Sequence, residues 1–353
     1  MNLDRVEQIA EAVLYEGYML YPYRPSSVKN QQRWNFGVLY PPSWCDRQSG
    51  SDRSGTTTEC LVKTTSSTRL TVKVRFLQIV QRSVAKLHTP VVETPEGEVP
   101  AMEIVDRLEV AGRVHHPWQE AVERQVTCDS LDPRAPLRSS LPFSFPQGTT
   151  FEYLRDDDGT ATGVIVRESQ SLIGEVKIQS ERSRGEVYKV TVEIQNLALP
   201  EPQPSHDSHG RDAVLLDCLV SAHTILGAED GEFISLLDPP PDLKNQVANC
   251  KNVGTWPVLA GDGPTAVLSS PIILYDYPEI APESAGNLFD STEIDEILSL
   301  RILTLTDAEK REMRQSDDLT RGILERTENM PEEQFMKLHG VLRVLSPVKE
   351  KTQ

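Results

Sequence analysis

Near the amino terminus the apolar residues recur at helical intervals. Val6, Ile9, Ala10, Val13 and Leu14 fall on one face, which predicts an amphipathic helix with Asn2 or Asp4 at its start and Gly17 at its end. The next stretch, GYMLYPYRPSSVKNQQRWNFGVLYPP, has no period, and Pro22, Pro25, Pro41 and Pro42 break regular structure. Residues 46–58 (DRQSGSDRSGTTT) are small and polar and read as a flexible loop. From Cys60 the period becomes two. ECLVKT and RLTVKVRFLQIV alternate as half-buried strands do, and RLEVAGRV, GVIVRES, GEVKIQSER and GEVYKVTVEIQNLAL continue the pattern between Gly and Asp clusters. These runs predict an antiparallel sheet or sandwich over residues 60–200.

Residues 200–212 (PEPQPSHDSHGRD) read as a linker. Beyond it, AVLLDCLVSAHTILG is apolar throughout, and periodicity does not separate strand from helix there. VLSSPIILYDYP holds a buried strand that ends in a turn. The tail changes character again. Asp290 with Glu293, and Thr306 with Glu309, have capping-box spacing, in which each side chain answers an unpaired backbone N–H at a helix start. Ile294, Ile297, Leu298 and Ile302 share one face, and PEEQFMKLHGVLRVL opens a last helix with Pro331 in its first turn. The fold class is therefore α+β: a β-rich body, an N-terminal helix and a C-terminal helical hairpin or small bundle. The expected divisions are a β-rich domain with the aromatic–basic segment over 1–200, a mixed second part of the body over 213–282 and a helical acidic tail over 283–345.

Composition sharpens the functional picture. The chain has 353 residues and a formal net charge of −17, which repels nucleic-acid phosphates and anionic lipid and favours basic protein surfaces. No apolar run reaches the ~20 residues of a membrane helix. The start of the chain lacks the basic flank and apolar run of a signal peptide. Five cysteines, Cys45, Cys60, Cys128, Cys218 and Cys250, are scattered with no pair at CxxC spacing. This fits a reducing cytoplasm rather than a disulfide framework or zinc ribbon.

Several groups carry candidate chemistry. Tyr18, Tyr21, Tyr23, Arg24, Lys29, Asn30, Arg33, Trp34 and Phe36 form an aromatic and basic cluster in an otherwise acidic chain. Such residue types dominate interface hot spots. Two readings stand: a partner or anion patch, or aromatics packed in the core with Arg24 and Arg33 paired to the chain's own acids. His206, Asp207, His209 and Asp212 form an HDxHxxD cluster with ligand chemistry, but in a Pro-rich segment a solvated loop is the plainer reading. Adjacent His115 and His116 point to opposite faces if they lie on a strand, which does not make a shared metal site. Cys218 and His223 make a nucleophile pair only if the fold brings them into contact, and a buried thiol is more simply a small hydrophobe. Cys250 stands beside Lys251, a setting that lowers a thiol's pKa. Between Asp276 and Leu300 there are seven acids, Glu293, Asp295 and Glu296 among them, and no Lys or Arg. They lack the spacing of a calcium loop and read as an acidic docking face. The chain has no GxxxxGK[ST], GxSxG, HExxH or GxGxxG, which weakens an enzyme reading without excluding one; no cofactor is expected.

Two long stretches carry a resemblance. YEGYMLYPYRPSSVKNQQRWNFGVLYPPS at residues 15–43 is one. The other is GTWPVL at 254–259 with SSPIILYDYPEIAPESAGNLFDSTEIDEILSLRILTLTDAEKREMR at 269–314. Together they resemble an uncharacterised bacterial family encoded with high-affinity, oxygen-tolerant NiFe hydrogenases. The resemblance implies a non-catalytic accessory, maturation or assembly protein in an aerobic cytoplasm, with hydrogenase subunits or maturation factors as its partners. It supplies no catalytic residue. The residues expected to bind the partner are Tyr23, Arg24, Lys29, Asn30, Arg33, Trp34, Glu293, Asp295 and Glu296. The alternatives are a metal-dependent hydrolase built on His206 and His209, or a structural module of another large assembly.

Overall fold

The structure is a computed structural model that describes residues 3–16, 23, 36–47, 50–92, 100–199, 208–279, 295–316 and 318–331. Helix α1 (Asp4–Leu14) begins with Asp4 and Glu7 in its first turn, where carboxylates complement the helix dipole. Leu3 occupies the cap position without a side-chain hydrogen bond, so Asp4 lies inside the helix and does not cap it.

After the short helix α2 (Pro42–Cys45) comes strand β1 (Gly55–Val91), 37 residues long. The two alternating runs predicted from the sequence, and part of the predicted loop 46–58, belong to this one strand. Its pairing continues past Thr64–Arg69 and Arg75–Leu77, where the register with β11 shifts. The remaining strands are β2 (Met102–Val105), β3 (Leu108–Val110), β4 (Arg113–His115), β5 (Trp118–Leu131), β6 (Arg138–Phe145), β7 (Gly148–Arg155), β8 (Ala161–Ser169), β9 (Leu172–Arg184), β10 (Val187–Asn196), β11 (Val220–Ile234), β12 (Trp256–Leu259) and β13 (Ala266–Ser270). All pairings between these strands are antiparallel. Eleven strands form one sheet, with β12-β13-β11-β1-β10-β9-β6 as its main path. One edge of β1 pairs with β10, then β5, then β2; the other pairs with β11, then β8. The strands that follow residues 200–212 thus join the sheet that β1 begins. The apolar stretch AVLLDCLVSAHTILG is both helix and strand: α3 (Ser208–Val214) and a 3-10 turn at Leu215–Asp217 lead into β11.

Alternation along β1 divides the core. Leu70, Val72, Val74 and Phe76 meet Val176, Ile178, Val190 and Val192 of β9 and β10. The Phe76 ring lies 5.4 Å from that of Phe143 on β6, so the sheet folds over a shared apolar layer. The opposite face carries Lys73 and Arg75, which pair with Glu7 and Glu11 of α1. There Val6, Ile9, Ala10 and Val13 pack on Ile225, Ala266 and Leu268. Further along the same face, Leu77 and Ile79 receive the tail helices α5 (Asp295–Leu303), α6 (Asp307–Ser316) and α7 (Asp318–Glu328) through Leu298, Ile302, Met313, Ile323 and Leu324. The small helix α4 (Lys244–Ala248) follows a 3-10 turn at Pro241–Leu243. The predicted capping box at α6 is present. Thr306 N donates to Glu309 Oε2 at 2.9 Å, and Glu309 N donates to Thr306 Oγ1 at 3.3 Å. The box at Asp290–Glu293 and the last predicted helix lie outside the described residues. No helix among the described residues is long and apolar enough to cross a membrane.

Candidate functional site

A cleft of about 200 Å³ opens where the segment before α2 crosses the start of β1 and the approach to β12. Three backbone bridges build it. Leu39 exchanges hydrogen bonds with Leu219, at 2.8 and 3.1 Å, and Tyr40 N donates to Arg53 O at 2.9 Å. Thr57 and Val253 exchange a further pair at 3.1 and 2.9 Å. Asn196 is fully buried and locks the junction, donating through Nδ2 to Leu39 O and Asp217 O, both at 2.8 Å. Two glycines make the approach possible. Gly37 has φ +54°, and a Cβ there would stand 2.6 Å from the Pro271 ring. Gly254 has φ +71°, and a Cβ there would stand 2.5 Å from Arg53 Nη1. Such a φ costs other residues strain, and at Gly37 a Cβ would also collide with the rigid Pro271 ring.

The polar wall is an ordered relay. Arg211, on α3, donates to Tyr40 Oη at 2.7 Å and to both carboxylate oxygens of Asp52, at 3.1 and 3.3 Å. Its guanidinium carbon lies 5.2 Å from the centre of the Tyr40 ring, a cation–π distance. Trp44 Nε1 donates to Asp52 Oδ2 at 3.0 Å, and the Trp44 and Tyr40 rings stack with centroids 6.0 Å apart. Burial pushes the Tyr40 hydroxyl up to about 12 against the opposing Arg211 charge, so it stays neutral in the working range. Arg53 is half-buried, and its guanidinium has no hydrogen-bond or salt-bridge partner among the described residues. Trp256 forms part of the rim with 44% of its surface exposed. Beyond Trp256 the chain returns along β12 from Pro271, anchored where Tyr277 N donates to Leu259 O at 2.7 Å. Between these points Ile272 and Leu274 turn toward α1, while Ile273 and Tyr275 are 71% and 84% exposed.

Several predicted site residues stand elsewhere. Tyr23, expected at a partner surface, is fully buried in the core cluster with Tyr40, Trp44 and the tail helices. For this residue the core-packing reading holds, because a large ring gains more from burial than from exposure. Phe36 remains 41% exposed. Arg24, Lys29, Asn30, Arg33, Trp34, Glu293 and His206 lie outside the described residues. Asp295 and Glu296 fall at the start of α5 and His209 falls in α3, but their side chains are not among those described. Asp212 is exposed on α3. No three His, Cys, Asp or Glu side chains among the described residues converge as metal ligands.

The thiols depart from the reactive setting expected at Cys250. Its Sγ faces Gln246 O at 3.7 Å, and the residue packs beside Leu61, Val187 and Leu243. Burial first, and the Glu59 carboxylate second, push the thiol up to about 11. The nearby charge that matters is thus Glu59, not Lys251, whose backbone N donates to Glu59 Oε2 at 2.7 Å. Cys218 is fully buried, donates to Val214 O at 3.1 Å and lies well above the usual thiol range because of burial. His223 Nδ1 instead donates to Ser221 O at 2.9 Å. Cys218 and His223 therefore serve two different backbone carbonyls.

The cleft escaped sequence reasoning because its members share no spacing. Asp52 and Arg53 sit in the predicted loop, Arg211 in the predicted linker, and Trp256 in a short edge strand. Gly37 to Tyr40 come from the stretch at 15–43, and Gly254, Trp256 and Pro271 from the stretches at 254–259 and 269–314. Neither a protein-family model nor a curated protein matches the chain.

Proposed function

We propose that this chain is a non-catalytic accessory, maturation or assembly protein that acts by binding another protein. Its partner, on this reading, is a NiFe hydrogenase subunit or maturation factor in an aerobic cytoplasm. The supporting observation is the exposed margin beside β12, where the rings of Trp256, Tyr275 and Tyr277 are 44%, 84% and 42% exposed, with Ile273 beside them at 71%. All four belong to the second stretch that resembles the hydrogenase-associated family. Large rings of this kind supply contact area with little rotamer entropy to lose, which is why they anchor interfaces. The net charge of −17 adds a preference for a partner with a basic surface.

Affinity purification from cells that express the hydrogenase tests the proposal. Wild-type protein is expected to retain a hydrogenase subunit or maturation factor. The double variant Trp256→Ala, Tyr275→Ala should lose at least ten-fold of that capture while melting like the wild type. Recovery of neither class of partner would sink the hydrogenase reading. Capture of a different assembly would instead favour a structural module elsewhere.

A further inference from the structure

The cleft itself supports a narrower statement, independent of which protein the chain assembles with. We propose that it binds a carboxylate group, gripped by Arg53 and by the free donors of Arg211, with the carbon skeleton of the ligand laid against Trp256.

Charge is the first argument. The cleft holds Arg53, Arg211 and Asp52, and two guanidinium groups against one carboxylate leave one positive charge over. That surplus is local, in a chain whose net charge is −17. It matches a monoanion better than a dianionic phosphate. The second argument is donor geometry. A guanidinium offers five N–H donors. Arg211 directs three hydrogen bonds to Asp52 and Tyr40, which fix its plane and leave donors to spare, with its side chain 51% exposed. Arg53 has all of its donors uncommitted among the described residues. A planar fork of this sort fits a carboxylate in two-point fashion.

Construction is the third. Asp52, with its side chain 17% exposed, accepts from Trp44 as well as Arg211, so it orients Arg211 and is not itself available to a cation. Gly254 leaves the space through which the Arg53 side chain passes. A volume of about 200 Å³ is below the usual range for nucleotide-sized ligands. It accommodates a carboxylate and the few atoms that bear it. The carboxylate can come from the end of a peptide chain or from a free small acid, and the probes below separate these sources.

The test is isothermal titration of the full chain with three probes: N-acetyl-Leu-Leu with a free carboxylate, the same dipeptide as its C-terminal amide, and the monoanion butyrate. At least one acid should bind saturably, the amide at least ten-fold more weakly than the peptide acid where that acid binds. Arg53→Gln should weaken binding at least ten-fold, and Arg53→Lys should fall between it and the wild type. Tighter binding of the peptide acid identifies a chain terminus as the ligand, and tighter binding of butyrate identifies a free acid. The proposal is overturned if neither acid binds at millimolar concentration, if the amide binds as well as its acid, or if folded R53Q binds like the wild type. Should R53Q fail to fold, the probe comparison on the wild-type chain decides alone.

Discussion

His223 shows how one residue ties this fold to pH. It sits on β11 opposite Arg75, completely buried, with Nδ1 committed to Ser221 O. Its Nε2 has no hydrogen-bond partner among the described residues. Burial drives its pKa down to about 4, aided by the Arg75 charge and opposed by the Ser221 carbonyl and Glu123. An unfolded histidine titrates near 6.5, so between these values the unfolded chain takes up the extra proton. The stabilising contribution is therefore complete above about pH 6.5 and is lost as pH falls toward 4, by about 3 kcal/mol at most. His223→Leu should flatten this part of the profile. Urea unfolding at pH 7 and at pH 4.5 checks it, and an unchanged difference between the two pH values would dismiss the argument. The reading of His223 as half of a nucleophile pair needed a contact that sequence proximity does not guarantee. Residues 218 and 223 fall on a 3-10 turn end and a strand, and each found a carbonyl nearer than the other.

At the scale of elements, what was legible in the sequence is what a period can encode. The face of α1 was readable because Val6, Ile9, Ala10 and Val13 repeat at helical spacing, and all four are buried. The alternation from Arg69 to Val80 was readable too, since β1 presents Leu70, Val72, Val74 and Phe76 to one side. The continuity of β1 was not, because Thr64 to Arg69 is polar and mimics a turn while carrying strand backbone. Nor was the cleft, whose residues come from places with no local period and meet only through the bridges at Leu39, Arg53 and Val253. Docking of α1 offers a direct test of this scale. Ile9 is 6% exposed, so Ile9→Ala should cost about 2–3 kcal/mol through lost burial and the cavity left behind. Glu11→Gln, which leaves Arg75 with Glu123 as a partner, should cost about 1 kcal/mol. Chemical denaturation of the two variants ranks them. The reverse order would mean that the ion pairs, not the apolar stripe, hold the helix down.

For the whole molecule, the aromatic margin beside β12 and the Arg53–Arg211 cleft lie next to one another, since Trp256 belongs to both. A protein seated on that margin would come within reach of the cleft, and a carboxylate-bearing partner would use both at once. Electrostatics at this scale should show in kinetics more than in affinity. A basic partner drawn to a chain of net charge −17 associates faster at low salt. Stopped-flow association at 20 and 200 mM salt is expected to show a several-fold fall in on-rate, with a smaller change in off-rate.

The order in which the chain is made gives β1 a further significance. Its neighbours β5, β8, β10 and β11 are all encoded after it, and the last of them ends at Ile234. During synthesis, then, VKVRFLQIV emerges early, with both edges open and a sequence suited to pairing with any other extended chain. One edge can close once β5 is made to Leu131, but Val72 to Arg75 and Leu77 on the other wait for β11, a delay that exposes the segment to self-association and to chaperones. Truncations that stop before Val220 should accumulate as aggregates, whereas a chain continuing past Ser270 should be recovered in the supernatant.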